Sequence, residues 1–227
     1  MDMLSVDQIT EAALTDWRKM GQGLHARFLT DGFTAGARFV AAVAAAGDEL
    51  GHRPRVTMGD GFVDLKAISE DAIYRDGDTE QVVEWVTQKD LDLARRVSEI
   101  AAEQGARADP ASISTIELAL DTANSALIAP MWAALLTGTT ESQGRGNIAD
   151  DVRDATGRVP GLWFQETDEH ETPRQRFHLD VWVAPEVVEE RVAAAVAAGG
   201  KIVDDSNAPW FTVIADHDGN RACVCTS

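Results

Sequence analysis

An alanine-rich run from about Gly32 to Leu50, ending in His52-Arg53-Pro54, constrains this chain more than any other segment. Within it Phe33, Ala37, Val40, Ala41 and Ala44 fall three and four apart, which predicts a helix that buries this face. Pro54 reads as its stop signal. Farther on, Val63, Leu65 and Ala67 alternate with Asp64 and Lys66, the pattern of a strand with one wet face. Asp90 to Glu103 returns to helical spacing through Leu91, Ala94, Val97 and Ile100. Helices packed on one sheet follow from these periods alone. Between strand and second helix, Asp76-Gly77-Asp78 reads as a turn in a solvated acidic loop rather than as a metal site.

At Gly105-Ala106-Arg107-Ala108-Asp109-Pro110 the periodicity stops and small residues dominate, which predicts a boundary between domains 1–109 and 110–227. The second half carries a weak internal repeat about sixty residues apart. Ile116 to Leu120 is a predicted strand followed by a helix from Ser125 to Leu136. Phe177 to Val183 is another, followed by a helix from Glu186 to Ala198. Further apolar runs follow each pair: Gly161 to Gln165 in the first copy, then Lys201 to Val203, Phe211 to Ile214 and Arg221 to Cys225 in the second. Two βαβββ units are the expectation, making the whole chain α+β.

Several ordered pieces of the first half carry a resemblance. Asp16-Trp17-Arg18 leads to Leu24-His25-Ala26-Arg27-Phe28. Gly32-Phe33 opens the helix that ends in Asp48-Glu49-Leu50-Gly51-His52-Arg53-Pro54. Phe62-Val63-Asp64-Leu65 and Val86 to Ala94 complete the set. Together, from about Leu4 to Gln104, they resemble the pterin-4a-carbinolamine dehydratase family, which implies a small domain with helices on one antiparallel sheet.

The resemblance also implies a reaction. Expelling water from a 4a-hydroxytetrahydropterin needs one group to protonate the leaving hydroxyl and one to take the ring N5 proton. Imidazole, with an ordinary pKa of about 6.5, suits both. The family offers two adjacent histidines before the proline and a third after the next strand. Here His52 holds the first position, Arg53 the second and Glu70 the third. Arginine stays protonated and orients or stabilises charge rather than shuttling protons, whereas a buried glutamate can shuttle them. The implied site is therefore His52 with Glu70, assisted by Arg53, with Asp90 at the family's acidic position opening the last helix. The bland reading of His52-Arg53 is a pair of basic residues complementing a helix dipole.

From about residue 112 to 227, Met131-Trp132-Ala133-Ala134-Leu135-Leu136, Arg176-Phe177-His178-Leu179-Asp180 and Ala215-Asp216-His217-Asp218-Gly219-Asn220 resemble the glyoxalase/bleomycin-resistance/dioxygenase (vicinal oxygen chelate) group. Metal-using members place ligands on the first and last strands of each unit, because a divalent cation needs several converging donors. Those positions fall here at Glu117, Gln165, His178 and Cys223, with Glu117 and His178 as the metal candidates. The alternative is a pocket lined by Glu117, His178 and the aromatics Trp163, Phe164, Trp182 and Trp210 that binds an organic ligand or nothing.

Composition excludes more than it assigns. The formal charge of -18 divides as 12 basic against 20 acidic residues in 1–109 and 8 against 18 in 110–227, so neither half offers the basic stripe that phosphate backbones require. Charged residues interrupt every apolar run and no signal-peptide pattern opens the chain, so a cytoplasmic protein without membrane contact is expected. Cys223 and Cys225 lie two apart on a strand and point to one face, so reduced thiols are expected rather than a mutual disulfide.

The sequence thus reads as a two-domain hydro-lyase, a 4a-hydroxytetrahydrobiopterin dehydratase working by acid-base chemistry without a cofactor on a small pterin. By analogy it forms a homo-oligomer. The competing reading makes the first domain an inactive scaffold and gives the second a small metabolite or drug-like compound, with or without a divalent metal.

Overall fold

The computed structural model of the chain describes residues 1–123, 125, 126, 128, 129, 133, 150–154, 157, 160–168, 177–197, 200–215 and 221–227. It divides into two compact units, Met1–Ile113 and Ser114–Ser227. Residues 109–113 stay with the first because the Asp109 N–H donates to the Arg27 carbonyl at 2.8 Å.

In the first unit a short helix α1 (Val6–Glu11), closed by a reciprocal Ser5–Gln8 capping box, precedes strands β1 (Arg18–Met20) and β2 (Gly23–Leu29). Helix α2 (Gly32–Leu50) follows, then β3 (Arg55–Gly59), β4 (Phe62–Ala67), the pair β5 (Ser69–Asp76) and β6 (Thr79–Trp85), helix α3 (Gln88–Gln104) and β7 (Arg107–Ala108). The sheet runs β1-β2-β4-β3 with β7 also on β2, all antiparallel. Its core joins Phe28, Leu24, Val63 and Leu65 of the sheet to Phe39 and Val43 of α2 and Leu93 and Val97 of α3. Phe28 meets Phe39 edge-on at 5.2 Å between ring centres.

Two expectations change here. The buried stripe of α2 is Gly36, Phe39, Val43, Ala46 and Gly47, while Phe33 is 55% exposed. An Ala-rich helix is apolar on several faces, so the bulky Phe39 and Val43, four apart, select the face rather than the alanines. Gly36 lets that face approach closely, since a Cβ there would lie 3.2 Å from Met58 Sδ. The supposed loop after Glu70 is a two-stranded ribbon, β5 on β6, turning at Gly77 with φ 55° and clasped by Arg75–Glu80 at 2.9 Å. The Asp-Gly-Asp turn is where the sequence puts it, but alternating residues on both sides make strands.

His25 on β2 has a use for titration. Its Nε2 is buried and without a hydrogen bond among the described residues, and burial, with Lys66 and Lys19 beside it, pushes its pKa down to about 3. The unfolded chain binds that proton near pH 6.5 and the folded one does not. Stability is therefore full above about 6.5 and falls between there and about 3, by up to about 1.4 kcal/mol per pH unit from this group. Urea midpoints at pH 7 and pH 5 should draw together in His25→Gln relative to wild type, and an unchanged pH dependence would remove His25 as the cause.

In the second unit, β8 (Ser114–Thr122), β9 (Asp151–Val152) and β10 (Leu162–Glu166) are followed by β11 (Phe177–Val183), α4 (Val188–Ala197), β12 (Lys201–Asp204), β13 (Phe211–Ala215) and β14 (Arg221–Cys225). The sheet order is β12-β13-β14-β11-β8-β10-β9. Antiparallel β8 and β11 lie side by side at its centre, with β10 parallel to β8 and β14 parallel to β11, so the two halves repeat each other. The second half is a full βαβββ unit. Of the expected helix Ser125–Leu136 only residues 125, 126, 128, 129 and 133 are described, and they are helical. The motifs at 131–132, 134–136, Arg176 and 216–220 lie outside the described residues. The apolar face of the sheet packs Leu120, Leu162 and Phe164 against Ala129 and Ala133, and Val183 and Val224 against Val188 and Val192. No described helix is long and apolar enough to cross a membrane.

Candidate functional sites

Helix α2 ends in a Schellman turn, with Gly51 in the left-handed region (φ 62°), its N–H on Asp48 O at 3.3 Å and the His52 N–H on Gly47 O at 3.0 Å. A Cβ on Gly47 would lie 3.1 Å from the His52 carbonyl, so that position also lets the chain fold back tightly. The turn delivers His52 against the start of α3, where Nε2 lies 2.7 Å from Asp90 Oδ1.

Asp90 is completely buried. It is the third helical residue of a Thr87-x-x-Asp90 capping box, and its Oδ2 accepts from the Thr87 N–H at 2.8 Å, Ser69 Oγ at 2.7 Å and Thr87 Oγ1 at 3.2 Å. An ionised carboxylate only accepts, so Nε2 of His52 carries the proton in that contact and Nδ1 is the nitrogen left for exchange. The α3 N-terminus adds a favourable field for the Asp90 charge. Thr87 and Ser69 are positioning residues that the sequence reading passed over, although S/T-x-x-D before an apolar run is a legible capping signal.

The structure brings His52 and Asp90 together; it does not bring Glu70, the partner the sequence implies for His52, to them. The Glu70 side chain is 66% exposed and pairs with Arg55 at 3.5 Å, because on β5 it alternates with the buried Ser69 and points the other way. The burial that would fit it for proton shuttling is missing. Arg53 turns back along α2 to Asp48 at 2.6 Å, itself exposed. A cavity of about 480 Å³ lined by Thr30, Arg38, Phe39 and Gln104 sits at the opposite end of α2, remote from this chemistry.

In the second unit, register places Asp180 of β11 between Glu117 of β8 and Cys223 of β14, and Gln165 of β10 opposite Asp121 of β8. The four sequence candidates therefore share one face of the sheet. They do not converge equally. Gln165 is exposed, and Glu117 Oε2 accepts from Trp182 Nε1 at 2.9 Å. His178 instead lies between two carboxylates, with Nδ1 3.4 Å from Asp121 Oδ1 and Nε2 3.5 Å from Asp180 Oδ1. Trp163 stands edge-on to the imidazole at 5.9 Å and donates to Asp180 Oδ2 at 3.3 Å. Burial raises the Asp180 carboxyl above its ordinary range despite the opposing His178 charge, and the Cys223 hydrogen bond and then burial push the Cys225 thiol up. The donor atoms of His178, Asp180 and Cys223 all lie within 4.8 Å of one another. Both cysteines are free thiols. Sequence reasoning missed Asp121 and Asp180, which alternation from His178 and Glu117 would have placed on the same face.

Comparison with known proteins agrees with the division. The sequence model of the pterin 4 alpha carbinolamine dehydratase family matches residues 2–100, and that of a glyoxalase-like domain matches 117–225. A Natronomonas pharaonis protein provisionally named pterin-4-alpha-carbinolamine dehydratase is 28% identical over 100 residues, spanning 44% of this chain and 97% of its own. A crystal structure described as a transcriptional coactivator/pterin dehydratase from Brucella melitensis shares 24% identity with a TM-score of 0.37, covering 44% of this chain and 99% of its own. The chain joins a pterin-dehydratase-like domain to a glyoxalase-like domain.

Proposed function

We propose that the first domain dehydrates a 4a-hydroxytetrahydropterin, with His52 as the acid-base group and Asp90 as the carboxylate that orients it. The observation that carries this reading is the 2.7 Å contact of His52 Nε2 with a buried carboxylate whose other oxygen is fixed by Ser69 and Thr87. Pinned in this way, the imidazole offers Nδ1 to substrate. The imidazolium gives its Nδ1 proton to the departing 4a-hydroxyl, which leaves as water. The neutral ring then takes the N5 proton and is ready for the next turnover. The elimination needs no oxidant and no cofactor, only one group that gives a proton and takes one back.

Glu70 and Arg53 are then bystanders. Glu70→Gln and Arg53→Ala should each stay within about threefold of the wild-type dehydration rate, well short of the hundredfold or more that loss of a general acid-base group costs. The test is initial-rate dehydration of freshly generated substrate, and a collapse in Glu70→Gln would restore the His-Glu pair that the sequence alone implies.

For the second domain we propose a site that accepts a small cationic ligand or a divalent cation. Asp121, Asp180 and Glu117 outnumber the one imidazole on that face, which disfavours anions and a thiolate nucleophile. If an ion is held, His178, Asp180 and Cys223 are the residues placed to hold it, and it would supply Lewis acidity to a bound oxygen.

A further inference from the structure

We infer that the outer face of the first domain's sheet holds a phosphate-monoester site centred on His25, with Arg18 and Lys66 as its flanking cations. No run of the sequence is basic, yet the sheet builds a basic row across its strands. Register sets Arg18 of β1 opposite His25 of β2, His25 opposite Lys66 of β4, and Lys66 opposite Arg55 of β3. Directly opposed residues share a face. Leu24 and Ala26, which flank His25 along β2, are buried in the core with Phe28, so the row lies on the other side. At about 4.8 Å between strands it spans about 14 Å.

Three observations point to a ligand there. The next row along the sheet neutralises itself, since Arg27 Nε and Nη2 each lie 2.6 Å from an oxygen of Asp64, whereas the His25 row has no carboxylate among its four members. Lys66 is drawn across β2 beside His25, because Gly23 leaves room for its stem: a Cβ there would lie 2.9 Å from Lys66 Cε. Finally, His25 Nε2 is buried without a hydrogen bond among the described residues. The Met20 carbonyl accepts from the ring, and with Nε2 unpartnered the donor is Nδ1. The neutral imidazole therefore turns an unused lone pair into a region where the charges bearing on it, Lys66 and Lys19, are both positive. A lone pair calls for a donor and the cations call for an anion. A protonated phosphate monoester is both: its P–O–H donates to Nε2 while its charged oxygens accept from Lys66 and Arg18, whose long stems swing to admit it. The proton stays in that bond, and no other reactant takes part. Sulfate and the internal phosphodiesters of nucleic acids carry no such proton at neutral pH, so the lone pair selects against them. Arg55, held at 3.5 Å by the exposed Glu70, stands at the rim.

Inorganic phosphate titrated into the full chain, with sulfate as control, tests this by calorimetry and by the nitrogen-15 resonances of the histidine rings. Phosphate should bind at least about tenfold tighter than sulfate at neutral pH. Its affinity should rise from about pH 8 to about pH 6 as the protonated anion accumulates. The sign follows from the ligand, because the charged groups around the ring, Arg18 and Lys19 of β1 and Lys66 of β4, are of types that do not titrate in that range. The His25 Nε2 resonance should move with phosphate and stay with sulfate. His25→Phe and Lys66→Gln should each weaken phosphate about tenfold or more, and the wild-type resonance carries the test if either variant fails to fold. Phosphate and sulfate bound alike, or bound phosphate that leaves the Nε2 resonance unmoved, overturns the site. Displacement of phosphate by a short single-stranded oligonucleotide also overturns it, in favour of a nucleic-acid backbone on this face. Absence of phosphate binding overturns it outright.

Discussion

Asp90→Ala is expected to destabilise the first domain by about 2–4 kcal/mol, because one buried carboxylate closes four contacts at once. Its loss leaves Ser69 Oγ, the Thr87 N–H and His52 Nε2 facing a cavity that water reaches poorly, and it removes the cap of α3. Asp90→Asn keeps an oxygen for Thr87 and Ser69, so it should cost much less. Its amide, however, donates toward His52, which forces the ring proton onto Nδ1 and removes the free lone pair. Denaturant unfolding of the first domain followed beside the dehydration rate separates the two roles. The alanine variant should lose stability, the asparagine variant mainly rate. Equal stability of Asp90→Ala and wild type would contradict a hub at this position.

The second large effect is kinetic. His52→Ala should lower dehydration by about 10²–10⁴, the range expected of a positioned general acid-base group. Its cost in stability should be modest, about 1 kcal/mol, since the side chain is partly solvated and only Asp90 Oδ1 loses a partner. A proportionate fall in rate and folded fraction would make His52 structural instead.

Much of this was legible beforehand, for a physical reason that differs by element. Alternation in β4 and the three-residue steps of α3 name their buried residues correctly, because each has one apolar face: Val63, Leu65 and Ala67, then Leu91, Ala94, Val97 and Ile100, are all buried. Alanine-rich α2 has several, and the sequence reading picked the wrong one until Phe39 and Val43 settled against Phe28. Site residues divide in the same way. His52 and Asp90 sit at helix ends, where a glycine turn and a capping box fix them locally. Glu70 depends on which side of a strand faces in, and one step along β5 exchanges it for Ser69. In the second domain strand order decides which residues meet, since β14 reaches β11 only through a crossover, and no local pattern announces that Cys223 lies beside Asp180.

The most direct test of the central claim is a stopped-flow assay on enzymatically generated 4a-hydroxytetrahydropterin, with wild type, His52→Ala and buffer compared at neutral pH. The account predicts a wild-type rate well above the spontaneous one and a His52→Ala rate returned close to it. A wild type no faster than buffer, or a His52→Ala variant as fast as wild type, would contradict it.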